Sequence, residues 1–194
     1  MPATLEPRAA PLPQDFWMHT GLEATTTKVD TAKMVVRAVI TTKQPDRAGD
    51  VIIPGGLQNA KQFLRNPVVL WAHQRTWPPI GACQTLDVQA DRVVAETKFS
   101  ESSPFACDVF KLYAEGILRA WSVGFLPREI YPIPATKDRP DGGMCFTKWD
   151  LLEYSAVPIP ENPEALTLAI HKGMIRDPDL RHWLVRDVMA ALHA

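Results

Sequence analysis

The chain has 194 residues and a mass of 21.6 kDa, which is the size of one domain with or without tails. Its 21 basic and 22 acidic side chains nearly cancel, which argues against a dedicated nucleic-acid binder, since such a protein carries a basic excess. No apolar run approaches the roughly 18 residues of a membrane span, and the N-terminus lacks the apolar core of a secretory signal. We therefore expect neither direct nucleic-acid binding nor a membrane association.

Proline is the unusual feature of the composition, with 18 residues, about twice the usual frequency. Four of these prolines fall in the first 13 residues, in a stretch without hydrophobic periodicity. We therefore predict a weakly ordered arm over residues 1–30. Most of the other prolines bound short apolar runs, which is typical of strands separated by rigid turns.

Residues 31–165 are predicted to form a mainly β domain with peripheral helices, of the α+β class. Apolar and β-branched runs predict strands at 33–42, 51–53, 68–72, 80–88, 91–99, 119–125, 130–133 and 149–159. A short helix is expected at 57–64. The clearest helix begins at Ser103-Pro104, a serine N-cap followed by proline at the first helical position, and should end by Gly116.

The remaining residues, 166–194, are predicted to be a C-terminal helical segment. A helix from Pro178 to about Leu192 follows Asp177 as its N-cap and has one apolar face. Two interpretations stay open, because such a helix can cap the domain or dock on a partner protein or a second copy of the chain.

His73 ends the apolar run 68–72 and so lies where a predicted core strand meets a loop. A histidine there has one side against the interior and the other toward solvent, which is the placement that a general base needs. A packed, hydrogen-bonded histidine at a strand end explains the same pattern, and the residues alone favour that structural role.

Ser122 lies inside an apolar strand, so its hydroxyl needs a partner to offset the cost of desolvation. Gly124, two residues later, removes a side chain on the same face and leaves space for an approaching backbone. A nucleophile and a structural serine bonded to a neighbouring carbonyl are both consistent with this pattern. The run Ala120–Gly124 is not a nucleophile elbow, because alanine replaces its first glycine.

Glu153 lies among apolar residues on a predicted central strand, where a carboxylate should be paired. A histidine is one partner, and a buried carboxylate on an imidazole N–H is how a catalytic base is oriented. A structural salt bridge or an exposed edge position is the alternative. Asp150, nearer the strand start, is the rival carboxylate.

Other chemistries have weaker support, and we predict neither a cofactor nor a metal site. The sequence has no phosphate-binding loop, no dinucleotide fingerprint and no paired ligands at zinc spacing. Asp46 and Asp50 flank a loop that is better explained as a solvated turn.

The odd number of cysteines favours a reducing compartment over a disulfide framework, and none has the surroundings of a nucleophile; they are Cys83, Cys107 and Cys145. Three histidines recur every 11 residues, but Pro178 interrupts that pattern, so we treat their spacing as coincidence; they are His171, His182 and His193.

Several segments together resemble the prohead serine proteases of tailed bacteriophages. They occur in the same order and at fitting separations over residues 33 to 165. The segments are Asp46–Ile52, Gly56-Leu57, Phe63–His73, Pro79–Gly81, Trp121–Phe125 and Leu152–Pro160. Where members of that family often have a smaller residue before the serine, this chain has Trp121.

The resemblance implies a serine endopeptidase with a compact β-barrel like that of the herpesvirus capsid maturation protease. His73 matches the family histidine and Ser122 its nucleophile; Glu153 is preferred as third member, with Asp150 in reserve. Such enzymes act in the bacterial host cytoplasm, inside the assembling procapsid. They cleave scaffold or the scaffold-like region of the major capsid protein, and then themselves, and self-association or capsid docking is expected.

A non-catalytic capsid assembly or scaffolding protein that keeps the fold is the alternative function. It would bind capsid protein without cleaving it. A copy of the enzyme that serves a gene-transfer particle would have the same chemistry in another setting.

Overall fold

The computed structural model of the protein describes residues 25–46, 49–137 and 142–159. Eight strands and two α-helices are found within these residues. In chain order they are β1 (Thr26–Asp30), β2 (Val35–Thr42), β3 (Val51–Ile52), α1 (Ala60–Phe63), β4 (Val68–Trp71), β5 (Gly81–Val88), β6 (Arg92–Phe99), α2 (Pro104–Ala114), β7 (Trp121–Ile133) and β8 (Gly143–Ala156).

The strands form one sheet in the order β1-β2-β6-β5-β4-β8-β3, and β7 pairs with β8 outside this series. The chain neighbours β1–β2, β5–β6 and β7–β8 pair antiparallel, whereas β3 and β4 run parallel to β8. The prediction of a mainly β domain with peripheral helices is therefore confirmed. Over the described residues the sheet is not a closed barrel, and the herpesvirus-type architecture stays a prediction.

Strand β8 organises the part of the sheet that matters for function, because it is covered on both edges. Strand β7 pairs along one edge for nearly its whole length. Two strands share the other edge: β3 pairs near the start of β8, and β4 pairs near the end of β8. Between them, Leu57 bridges Trp149, and the Asn59 side chain pairs with Leu151 by donating to its carbonyl at 3.0 Å and accepting from its N–H at 2.8 Å. The Asn59 side chain therefore makes the two hydrogen bonds to Leu151 that the backbone of a neighbouring strand would otherwise make.

Aromatic side chains fill the core between the sheet and α2. The rings of Tyr113 on α2 and Trp121 on β7 stack with centroids 4.9 Å apart, and the Tyr113 hydroxyl donates to the Ala120 carbonyl at 2.8 Å. Helix α2 begins as its sequence predicts, with the Ser103 hydroxyl accepting from an N–H of the first turn, and it ends before Gly116, which has φ of +72°. These contacts hold the start of β7 against α2.

Three element boundaries differ from the sequence prediction, each because pairing overrides local preference. The helix expected at 57–64 shortens to α1, since the residues before it bond to β8. Strand β8 begins at Gly143 rather than 149, and β7 continues unbroken to Ile133. Pro127 is tolerated within β7 because β7 has only β8 as a strand partner in the described sheet, so its outer edge needs no N–H donor.

The chain ends lie largely outside the described residues. Residues 26–30, which the sequence placed in the weakly ordered arm, form β1 because their β-branched side chains allow antiparallel pairing with β2. The rest of that arm, the predicted C-terminal helical segment at 166–194 and its histidines lie outside the described residues. Neither described α-helix has the length and apolar character to cross a membrane.

Candidate active site

His73 lies in a strained turn directly after β4. Ala72 and His73 have φ of 46° and 59°, a left-handed conformation that residues with a Cβ seldom adopt. Hydrogen bonds to β8 hold this turn: the Ala72 N–H donates to the Ala156 carbonyl at 2.9 Å and the His73 N–H donates to Ser155 Oγ at 3.0 Å. The turn directs the imidazole back over β8.

The imidazole meets the Glu153 carboxylate there. His73 Nδ1 is 2.8 Å from Glu153 Oε1, and because an ionised carboxylate only accepts hydrogen bonds, the ring N–H is the donor. Glu153 is 3% exposed, whereas the His73 side chain is 39% exposed. The second carboxylate oxygen, Oε2, accepts from the Ser155 hydroxyl at 2.8 Å. Both oxygens of this buried carboxylate are therefore satisfied, and Nε2 lies on the other side of the ring from the carboxylate.

Gly124 makes room for this carboxylate. It is the register partner of Glu153 on β7, and a Cβ added to it would overlap Glu153 Oε1. The expectation that Gly124 leaves space for an approaching backbone is therefore wrong, because the glutamate side chain already fills that space. The glycine is required by a partner side chain and not by its own backbone conformation.

Ser122 occupies the adjacent position on the same face. It is the register partner of Ser155, and residues opposite one another on paired strands have Cβ atoms about 5 Å apart. Among the described residues, no hydrogen bond joins Ser122 Oγ to His73 or to any other group. The structure thus brings His73 and Glu153 into direct contact and places Ser122 beside them without a direct bond.

A cavity of about 120 Å³ opens beside Ser122. The ends of β2 and β3, the loop between them and the first residues of β7 form its walls. The lining residues are Ile40, Thr41, Thr42, Gln44, Asp46, Asp50, Ile52, Trp121, Ser122, Val123 and Phe125. Ser122 is therefore one of the residues that line a space at this end of the sheet.

Asp150, the rival carboxylate, has a different partner. Its Oδ2 accepts from Arg128 Nε at 2.8 Å and from Arg128 Nη2 at 2.5 Å, and among the described residues neither Asp150 nor Arg128 forms a hydrogen bond or ion pair with His73. A guanidinium keeps its proton at all relevant pH values, so the partner of Asp150 cannot take a proton from a nucleophile. The geometry associates the histidine with Glu153 and separates it from Asp150.

The model of the caudovirus prohead serine protease family matches residues 24–175. This chain belongs to that family. Two relatives agree: the capsid polyprotein of Pseudomonas phage PAJU2, 30% identical over 152 residues, and the prohead protease of Escherichia phage T5, 29% identical over 142 residues. The matches cover 73% and 72% of this chain, but 21% of the polyprotein and 63% of the T5 protein, so the chain spans less than two thirds of either relative. No solved structure matches the chain significantly.

The family match spans every residue of the site, including Ser155, which its sequence context alone does not mark as functional. Ser155 contacts both Glu153 and the His73 backbone, and it is completely buried. A signal for it was present in the sequence. Residues two apart on a strand share a face, so the spacing of Glu153 and Ser155 places the serine beside the carboxylate.

The other candidates considered for chemistry in this family member lie in structural positions. Burial raises the pKa of the Cys83 thiol and raises that of Cys145 to about 12, so both thiols stay protonated and poorly nucleophilic. Asp46 and Asp50 accept backbone hydrogen bonds, from the Asp50 and Met144 N–H groups respectively. Within the described part of the chain, no group of three or more acidic, histidine or cysteine side chains is placed to hold a metal.

Proposed function

We propose that this chain is a serine endopeptidase of virion assembly in which Ser122 is the nucleophile, His73 the base and Glu153 the residue that orients the base. The observation that carries this proposal is the 2.8 Å contact between His73 Nδ1 and the buried Glu153 carboxylate, with Ser122 on the same face of the next strand. Membership of the caudovirus prohead serine protease family supports the reaction class.

In the proposed reaction, Ser122 Oγ attacks the scissile carbonyl carbon while His73 Nε2 takes the hydroxyl proton. The C–N bond then breaks, and His73 returns the proton to the leaving amine. Water hydrolyses the acyl-enzyme in the same way: the imidazole takes a proton from the water, the new C–O bond forms, and Ser122 leaves and regains a proton. No metal or cofactor takes part in these steps.

Glu153 stabilises the imidazolium that forms when His73 holds the proton, and its Oε1 selects the tautomer with the proton on Nδ1. Its burial strengthens this effect, because a charge pair interacts more strongly away from water. Asp150 is the weaker choice for this role, since Arg128 already neutralises it.

The substrates that we propose are scaffold or the scaffold-like region of the major capsid protein, and then the enzyme itself, inside the procapsid in the host cytoplasm. A relative named as a capsid polyprotein supports a capsid-protein substrate. The cavity of about 120 Å³ that Ser122 helps to line is the place that we propose for a substrate side chain. The mainly β sheet with α2 packed against it is also consistent with an architecture like that of the herpesvirus capsid maturation protease.

Two measurements on the purified chain test this function. An intact-mass time course detects self-cleavage, and a fluorophosphonate probe detects an activated serine, because Ser122 Oγ forms a bond to phosphorus as fluoride leaves. We expect wild type to shorten and to be labelled, and Ser122→Ala and His73→Ala to do neither. Ser102→Ala is the matched control, since Ser102 is exposed and lies before α2, outside the site.

Labelling of Ser122→Ala at the wild-type rate would show that another residue is the nucleophile. A wild-type chain that binds capsid protein but is neither labelled nor shortened would replace this proposal with the alternative, a non-catalytic assembly protein.

A further inference from the structure

Ser155 makes two hydrogen bonds that meet at one oxygen atom. Its hydroxyl donates to Glu153 Oε2 at 2.8 Å and accepts from the His73 N–H at 3.0 Å. The side chain is fully buried, and the residue is paired in register with Leu70 on β4 and Ser122 on β7. One hydroxyl therefore connects the carboxylate, the backbone of the histidine and the strand that carries the proposed nucleophile.

The bond to Glu153 restricts how that carboxylate can turn. A glutamate has three side-chain torsions, and fixing one of its oxygens leaves the other with a defined direction. Because Ser155 holds Oε2, Oε1 is directed toward His73 Nδ1 and lies over Gly124.

The bond to the His73 N–H acts on the other partner of the pair. His73 is in the left-handed region, which residues with a Cβ occupy only when their surroundings fix them there. The Ser155 hydroxyl is the acceptor for this residue's N–H, so it holds the turn that directs the imidazole over β8. The same atom thus sets the position of the ring and the position of the carboxylate.

We propose that Ser155 is a positioning residue for the His73–Glu153 pair and controls how effectively His73 activates Ser122. This inference rests on the proposed function and assigns to the site a fourth member that does not touch substrate. Removing the hydroxyl lowers the rate of the chemical step and leaves initial binding unchanged.

The experiment measures fluorophosphonate labelling as a function of probe concentration, which separates the maximal labelling rate from the concentration at half-maximal rate. For Ser155→Ala we expect the maximal rate to fall by about 10- to 100-fold, the usual effect of losing a hydrogen bond that orients a functional side chain. The half-maximal concentration should stay at the wild-type value. Proton NMR should also show the His73 Nδ1–H resonance moved upfield, as its bond to Glu153 weakens.

Thr97→Val is the matched control. The Thr97 hydroxyl is also buried and is 2.7 Å from the Tyr154 hydroxyl, whose side chain lies on the opposite face of β8 from Glu153 and Ser155. This variant should lose stability and keep both the labelling rate and the His73 resonance. If Ser155→Ala does not fold, Ser155→Cys keeps the side-chain volume with weaker hydrogen-bonding groups, and the same fall in maximal rate is expected.

A folded Ser155→Ala or Ser155→Cys that is labelled at the wild-type rate would overturn the inference, as would an equal loss in Thr97→Val. These outcomes are distinct from a failure of the proposed function, in which wild type is not labelled or Ser122→Ala is labelled equally fast.

Discussion

Strand β8 carries two carboxylates three residues apart, and their surroundings differ in almost every respect. Asp150 lies beside the Arg128 guanidinium, in a stretch where Lys148 and Glu129 form a further surface ion pair. Glu153 is buried and is hydrogen-bonded to an imidazole and a hydroxyl. The partner decides what each carboxylate can do. An arginine holds its proton permanently, whereas a histidine can take up a proton and release it, so only the second pair contains a partner that can exchange protons near neutral pH.

The two regions also differ in what surrounds the strand. Around Glu153, β8 lies between β7 and β4, and the turn at His73 closes over it. Around Asp150, the strand is bordered by Leu57 and Asn59, which are not part of a strand. A buried charge is costly unless its hydrogen bonds are complete. The buried carboxylate of Glu153 lies in the part of β8 that has a paired strand on both edges.

Exchanging each carboxylate for its amide gives the strongest test of this contrast. Glu153→Gln should lower fluorophosphonate labelling and self-cleavage by about 10³- to 10⁴-fold, because an amide can stabilise the wrong imidazole tautomer and carries no charge. Asp150→Asn should leave both rates unchanged and lower stability by less than about 1 kcal/mol, since the ion pair that it breaks is partly exposed. Equal losses in the two variants would contradict the assignment of Glu153.

Filling the space at Gly124 should give the next largest loss of labelling. Gly124→Ala places a methyl group where Glu153 Oε1 lies, so the carboxylate must move away from His73. A displacement of about 1 Å in a catalytic group can reduce the rate by about 100-fold, and we expect a labelling loss of that order. Gly55→Ala is the control, because its new Cβ would meet nothing closer than 3.9 Å. Unchanged labelling of Gly124→Ala would show that the Glu153 position is not critical.

Asn59 lies at the border between the two regions and should affect stability more than chemistry. Asn59→Ala leaves the N–H and carbonyl of Leu151 without their side-chain partner, a loss that we expect to cost about 1–3 kcal/mol in urea unfolding. The exposed neighbour Gln58, changed to alanine, should cost less. Folded Asn59→Ala should be labelled at the wild-type rate; a rate loss on the scale of Glu153→Gln would mean that the border residue belongs to the site.

The sequence allowed part of this site to be predicted. A histidine at a strand end and a carboxylate within an apolar strand were visible as unusual residues, and the need to satisfy a buried charge made a histidine one possible partner of the carboxylate, beside a structural salt bridge. The start of α2 was also predictable, since a serine cap followed by proline is a local signal.

The missed features depend on contacts between distant residues. Ala72 is not a residue type that predicts a left-handed conformation, and the turn at Ala72 and His73 is held by hydrogen bonds to β8. Asn59 looks like an ordinary helix-start residue until its amide is seen beside Leu151. The role of Gly124 likewise depends on its register partner on β8, which is Glu153.

The sequence positions of the site residues have a consequence for timing. His73 is 80 residues from Glu153 and 82 from Ser155, and both of its partners lie on the last described strand. A chain synthesised from its N-terminus therefore has His73 and Ser122 before it has the two groups that orient His73. If the proposed function holds, a nascent chain that lacks β8 should be inactive, and a cut within β8 should deprive both the ring and the backbone N–H of His73 of their partners.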